Sequence, residues 1–288
     1  METYRNEKAY LQLLDFVLKN GIKKDTRNGI TYSHFGSLMK FDVNNGETFP
    51  LLTSKKVFFR GIVEELLWFL RGSTNSKELE AKGINIWKGN SSREYLDSMG
   101  FYHYPEGELG PIYGYQWRSF NGSVDQLKYL LEELQLKNSR RAFISAWNPA
   151  QLKEQALPPC HISYNFHKID DENLNCMMYM RSADLFLGVP FNIASTALFT
   201  MIIAKVMNMK VKEICLSICD NHIYDEHIEA VKEQLKNEIF NFPKVIIKKD
   251  IDVSLSIDEK IKWIEILTFE DFELKDYNCN TSIKAIMK

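Results

Sequence analysis

The chain has 288 residues, with 36 Lys plus Arg against 38 Asp plus Glu and a formal net charge of -2. That near balance excludes a global field favouring DNA or an anionic membrane and leaves only a local anion site open. No apolar run approaches the roughly 20 residues of a membrane span, the segment Met1 to Glu7 has no apolar signal core, and five cysteines, all from Cys160 onward, make no disulfide framework. A soluble chain in a reducing, cytoplasmic compartment is therefore expected.

Tyr10, Leu11, Leu14, Phe16, Val17 and Leu18 recur near helical spacing and stop at Asn20-Gly21, which predicts a first helix with a glycine end. Residues 31 to 43 alternate as a strand. The stretch from Gly61 to Arg71 is apolar over much of its circumference and predicts a central helix ended by Gly72. Within it Glu64 and Glu65 point about 100° apart, so one of them faces a given cleft and the other, expected to be Glu64, is exposed. Residues 88 to 123, rich in Gly, Ser, Asn and Tyr, read as irregular. A helix follows from Val124 to Leu136. Strands are predicted over Ala142 to Trp147, His161 to His167 and Leu174 to Met180, the last two joined by a hairpin at Asp170 to Asn173. Phe191 to Met207 is a long apolar helix with Pro190 near its first turn. A strand at Val211 to Ile218, a helix at Tyr224 to Lys236 and a strand at Lys244 to Lys249 complete the series. No linker or repeat divides the chain, so residues 1–288 are expected to form one α+β domain.

Two segments carry most of the chemistry. In Ala156-Leu157-Pro158-Pro159-Cys160-His161 a thiol follows two prolines, where the backbone is stiff and poor in donors, which suits a nucleophile held at fixed geometry. The alternative is a small buried hydrophobe. The second segment runs Arg181-Ser182-Ala183-Asp184-Leu185-Phe186-Leu187-Gly188-Val189-Pro190-Phe191-Asn192. An arginine near the thiol would depress its pKa from about 8.5 and recruit an anion. Only nine of the 36 basic residues are arginine, so each has more claim to a geometric task than a lysine does. Cys215 and Cys219 are separated like a half metal site but have no second pair, and a core strand explains them better.

Pro159-Cys160-His161, Arg181-Ser182-Ala183-Asp184 and Gly188 to Ser195 together resemble the signature of the thymidylate synthase family. The likeness extends from about Asp25 to Ile283. It takes in Glu64 to Leu70, Leu109 to Arg118, Ser139-Arg140-Arg141, Ala146 to Pro149 and Asp220-Asn221-His222-Ile223-Tyr224, all in family order. The resemblance implies a large twisted mixed β-sheet with helices packed on one face, dimerising through the sheet. It implies methyl transfer to dUMP, with methylenetetrahydrofolate as co-substrate and no metal. Cys160 would add to carbon 6 of the uracil ring. Arg181, Arg27 and Ser182 would hold the phosphate, joined by Arg140 and Arg141 of a second subunit in a homodimer. Asn192, whose amide both donates and accepts, would read the uracil edge, and an amide capping the helix that starts there is the alternative. His222 and Tyr224 would meet the ribose, and Glu65, with a pKa raised by its apolar helix, would move protons. Tyr113 and His161 would hold water near the base. For the folate, Asp184 would bond the pterin, Ile86, Trp87, Leu187 and Phe191 would form an apolar wall, and Lys55 would meet the glutamate tail. The chain departs from the family pattern at Met180, Lys88, Cys219 and the terminal Lys288. These departures leave a deoxyuridylate hydroxymethylase, or a silent nucleotide- or RNA-binding paralogue, as alternatives; RNA binding has no residue in its support.

Overall fold

A computed structural model describes residues 5–287, so the Lys288 terminus lies outside the described residues. Helix α1 (Asn6–Asn20) buries Tyr10, Leu14 and Val17 along one stripe. It stops at Gly21, whose N–H donates to the Val17 carbonyl at 2.8 Å. A Cβ there would fall 2.5 Å from that oxygen, so the exit toward the sheet admits only glycine. The hairpin β1 (Ile22–Thr26) and β2 (Gly29–Asp42) follows. After it come α2 (Phe59–Leu70), three short helices α3 (Lys77–Glu80), α4 (Arg93–Ser98) and α5 (Tyr113–Ser119), and then α6 (Gln126–Gln135). Strands β3 (Phe143–Ser145), β4 (His161–Lys168) and β5 (Asn173–Asp184) lead into α7 (Gly188–Val206) and β6 (Lys210–Tyr224). The chain closes with α8 (Ile228–Gln234), β7 (Lys244–Ile247), α9 (Ile257–Glu265) and β8 (Phe272–Lys275).

Six strands form one mixed sheet in the order β1-β2-β6-β5-β4-β3, and β7 pairs with β8 separately. All neighbours in the large sheet run antiparallel except β5 and β6, which are parallel. A parallel pair needs a crossover, and α7 supplies it. In β5, Leu174, Cys176, Met178 and Met180 are buried while Met177 and Tyr179 on the opposite face are exposed, the alternation of a sheet with one covered face. The result is an α+β fold with helices packed against a mixed sheet. Its core is dense in aromatics: Trp68 and Trp117 are among the largest fully buried side chains, and Trp117 stacks on Phe199 with centroids 5.2 Å apart. Each such ring contributes on the order of 2–3 kcal/mol by removal from water.

Four sequence expectations need correction. Helix α7 is, by length and composition, apolar enough to cross a bilayer, contrary to the reading that no run comes near that length; yet 83% of its apolar window is buried inside the protein, which marks a core helix. Residues 88 to 123 are not irregular throughout, because Ser92 caps α4 by accepting the Tyr95 N–H and α5 buries Tyr113 and Trp117. Strand β6 runs on to Tyr224, where a helix was expected to start, because its last residues pair with both β2 and β5. Glu64 is not the exposed neighbour: it is 4% exposed, and Lys82 Nζ closes on its carboxylate at 2.6 Å. The sequence also gave no signal for β1, α9 or β8, the first of which is exposed along its whole length.

Candidate active site

The parallel pairing of β5 and β6 delivers the C-terminal ends of both strands to one edge of the sheet. Ser182 lies opposite Asp220 and Asp184 opposite His222, and Thr31 of β2 lies opposite Tyr224. These ends and the β1–β2 turn enclose a cavity of about 180 Å³ lined by Arg27, Asn28, Ser182, Asp220, His222 and Tyr224 among others. Arg27 is exposed at its rim. Asp220 faces the His222 ring and accepts the Ser33 hydroxyl, and these two together hold its carboxyl down to about 2 against the opposing effect of burial. His222 Nδ1 is 3.7 Å from Asp220 Oδ2, too far for a hydrogen bond, and is otherwise unpartnered.

Cys160 directly precedes β4, and the β4–β5 register slips between His161 and Ser163, a bulge beside the thiol that re-aims the chain. The Cys160 N–H donates to Tyr113 Oη at 2.7 Å. Arg181 donates from Nε to the Pro159 carbonyl at 2.8 Å and from Nη2 to the Pro158 carbonyl at 2.9 Å, with Sγ of Cys160 at 3.7 Å. The two prolines thus offer carbonyls and no donors, and Arg181 is locked against them. The expected depression of the thiol pKa does not occur. Burial pushes it up, outweighing the opposing pull of the Arg181 charge and of Tyr113.

Tyr113 joins this group to the reaction-side carboxyl. Its ring stacks on His161 with centroids 4.1 Å apart and meets Trp87 at 5.8 Å. The Trp87 indole N–H donates to Glu65 Oε1 at 2.7 Å. Burial raises the Glu65 carboxyl to about 7, with the Trp87 bond pulling the other way, so it exchanges a proton near neutrality. Burial also lowers His161 to about 3 and leaves it a neutral ring, with Nδ1 3.2 Å from Tyr164 Oη. Asn192 sits inside α7, not at its cap. Its side-chain amide makes no hydrogen bond among the described residues, so helix capping does not use it.

On the other flank Asp184 Oδ1 accepts the Phe186 and Leu187 N–H groups at 2.9 and 3.3 Å, which fixes the carboxylate while Oδ2 stays open. Ile86, Leu187 and Phe191 are half-buried and Trp87 is buried. Gly61 lets two side chains of this wall approach: a Cβ there would fall 2.6 Å from the Phe58 ring and 3.4 Å from Ile86 Cδ1. Lys55 is not on the surface. It is 5% exposed, its ammonium donates to the Phe186 carbonyl and lies 3.5 Å over the Phe186 ring, and burial lowers it to about 7. Arg140 and Arg141 are exposed before β3 and do not line the cavity that holds Arg27; Arg141 Nε is 3.4 Å from Glu133. Of the departures, Met180 is buried in the core rather than turned to that cavity, Cys219 is half-buried and absent from its lining, and Lys88 is exposed. Sequence reasoning missed Asp220, Ser33, Asn28 and Phe58, and took Trp87 for wall alone. The Asp220 to Tyr224 segment was the one signal that pointed toward the first of these.

This is an α+β protein whose mixed sheet carries a cysteine at the start of β4 and a polar cavity that includes Arg27 at the ends of its parallel pair. Residues 8–288 match the family model described as thymidylate synthase, and the chain belongs to that family. It is 46% identical over 295 residues to a bifunctional dihydrofolate reductase-thymidylate synthase of Paramecium tetraurelia, covering 98% of this chain and 61% of the relative. It is 42% identical to the bifunctional protein of Leishmania major, at 98% and 55% coverage, and 42% identical to the thymidylate synthase of Homo sapiens, at 98% and 90%. The chain therefore spans little more than half the length of the bifunctional relatives.

Proposed function

We propose that residues 1–288 act as one catalytic domain that methylates dUMP to dTMP, taking both the carbon and a hydride from methylenetetrahydrofolate and releasing dihydrofolate. The observation that carries this is the chain of contacts from Arg181 through Cys160 and Tyr113 to Trp87 and Glu65. It links a cation, a nucleophile and a proton carrier in one run of contacts. The thiol gives its proton to water and its sulfur adds to carbon 6 of the uracil; the ring electrons move toward the carbon 4 carbonyl and make carbon 5 nucleophilic, and once hydride has reached the new carbon the returning electrons restore the 5,6 double bond and expel the sulfur. Phosphate binding by Arg181, Arg27 and Ser182 orients the ring for that addition. The open Asn192 amide offers an acceptor to the N3–H and a donor to the adjacent carbonyl. Glu65, half-buried and with its carboxyl raised to about 7, fits removal of the carbon 5 proton through water.

The folate supplies one carbon and a hydride when bound. Asp184, with one oxygen open, suits the pterin donors, while Phe58, Ile86, Leu187 and Phe191 suit an apolar ring system. The domain is read as a homodimer, supported by the exposed apolar residues Leu38, Phe143, Met177 and Tyr179 on β2, β3 and β5 and by two exposed arginines with no place in the chain's own cavity. The free cysteines suit a reducing cytoplasm. Incubation with dUMP and methylenetetrahydrofolate tests the activity. Equal amounts of dTMP and dihydrofolate are expected; hydroxymethyl-dUMP with tetrahydrofolate, or no product, would overturn it. The relatives favour neither of those outcomes.

A further inference from the structure

Between β6 and α8 lies His227, a side chain with no exposed surface. Its Nε2 is 2.8 Å from the carbonyl oxygen of Ile286, near the end of the chain. A carbonyl only accepts, so Nε2 carries a proton. Nδ1 has no hydrogen-bond partner and lies 3.7 Å from Asp184 Oδ1, the oxygen already bound by the Phe186 and Leu187 N–H groups. The Phe186 and Tyr224 rings flank it, with centroids 5.6 and 5.4 Å away. One immobile imidazole therefore touches the C-terminal segment on one edge and the loop after β5 on the other. No step of the reaction above uses it.

We propose that His227 is a positioning residue that anchors the C-terminal segment through Ile286 and couples its placement to Asp184. The anchor stands on the geometry alone; its consequence, tighter folate binding through Asp184, rests on the synthase reading. A ring buried only to fill space would leave the tail unaffected when its donor is removed.

The first test uses the full chain without ligand. His227→Phe keeps the volume and removes the donor. Carboxypeptidase should release its last residues roughly tenfold faster, the scale of one lost hydrogen bond, whereas His227→Gln, which keeps an N–H, should recover most of the protection. In a chain ending at Ala285 the His227→Phe change should add nothing to the Michaelis constant for methylenetetrahydrofolate. In the full chain it should raise that constant roughly tenfold and leave the one for dUMP within about twofold. If His227→Phe does not fold, the unaltered residue decides the matter: its Nε2–H resonance should shift when the chain ends at Ala285. Unchanged release in folded His227→Phe, additivity in the shortened chain, or an unshifted resonance would each overturn the anchor. Tail release and the resonance need no turnover, so a chain without synthase activity would refute the activity and leave the anchor decided on its own.

Discussion

The two flanks of the site obtain their chemistry by opposite means. The nucleotide flank is built from strand ends and a turn, with an exposed Arg27, a half-buried Asp220 held down to about 2 by its partners, and polar groups that face water. The flank proposed for the reaction is built from aromatic rings on helices and the start of β4, and there burial is the largest influence on the protonation states. It raises Glu65 to about 7, raises the Cys160 thiol and lowers His161 to about 3. Polar partners hold Asp220 ionised where water is near; desolvation favours neutral groups where it is not. In the proposed reaction the first arrangement binds, while the second keeps Cys160 and His161 neutral and leaves Glu65 to exchange a proton near neutrality.

If the division holds, Cys160→Ser removes turnover by more than about a thousandfold while dUMP affinity, read by calorimetry, stays within about tenfold, since the phosphate carries ground-state binding. A large loss of affinity would merge the two flanks. Next in size is Glu65→Gln, expected to cost about a hundredfold or more in kcat, the usual weight of a general acid–base group. Its stability carries a sign as well. The Glu65 carboxyl is raised on folding, so its contribution to wild-type stability is full below its ordinary pKa of 4.5 and is lost as pH rises to about 7. Melting curves should therefore show the Gln variant gaining on the wild type across that window, by up to about 3 kcal/mol. A constant difference between pH values would mean Glu65 is not desolvated.

On the nucleotide flank Asn192→Asp should shift the ratio of kcat/KM for dUMP over dCMP by about tenfold, because a mismatched buried polar pair costs about 1–3 kcal/mol. An unaltered ratio in steady-state kinetics would place base selection elsewhere. The smallest effect is regained activity on mixing two inactive proteins, Cys160→Ala and Arg141→Ala, because only heterodimers assemble one intact composite site. No recovery, or an active monomer in sedimentation, would remove the partner arginines from the cavity.

Most of the element order was legible in the residues: the Tyr10 to Val17 stripe, the alternation of β4 and β5 and the apolar run of α7 are local patterns. The groups proposed to react could also be named from the residues, because Cys160 behind two prolines, Arg181 and Asn192 sit in contiguous segments. Residues whose environment comes from elsewhere were not legible. Glu64 and Glu65 are neighbours with similar sequence surroundings, yet Lys82 neutralises one and Trp87 binds the other. Lys55 has an ordinary sequence setting, and only the packing of Phe186 over it makes it a buried cation. Arg181 was evident as a partner for the thiol, but that it spends its donors on the Pro158 and Pro159 carbonyls follows from backbone geometry. Composition, spacing and order determined which side chains the chain carries and the elements that hold them. The tertiary structure alone decided which of those groups are desolvated, because the water removed from a side chain is displaced by residues remote in sequence, as Ile286 is from His227 and Asp184.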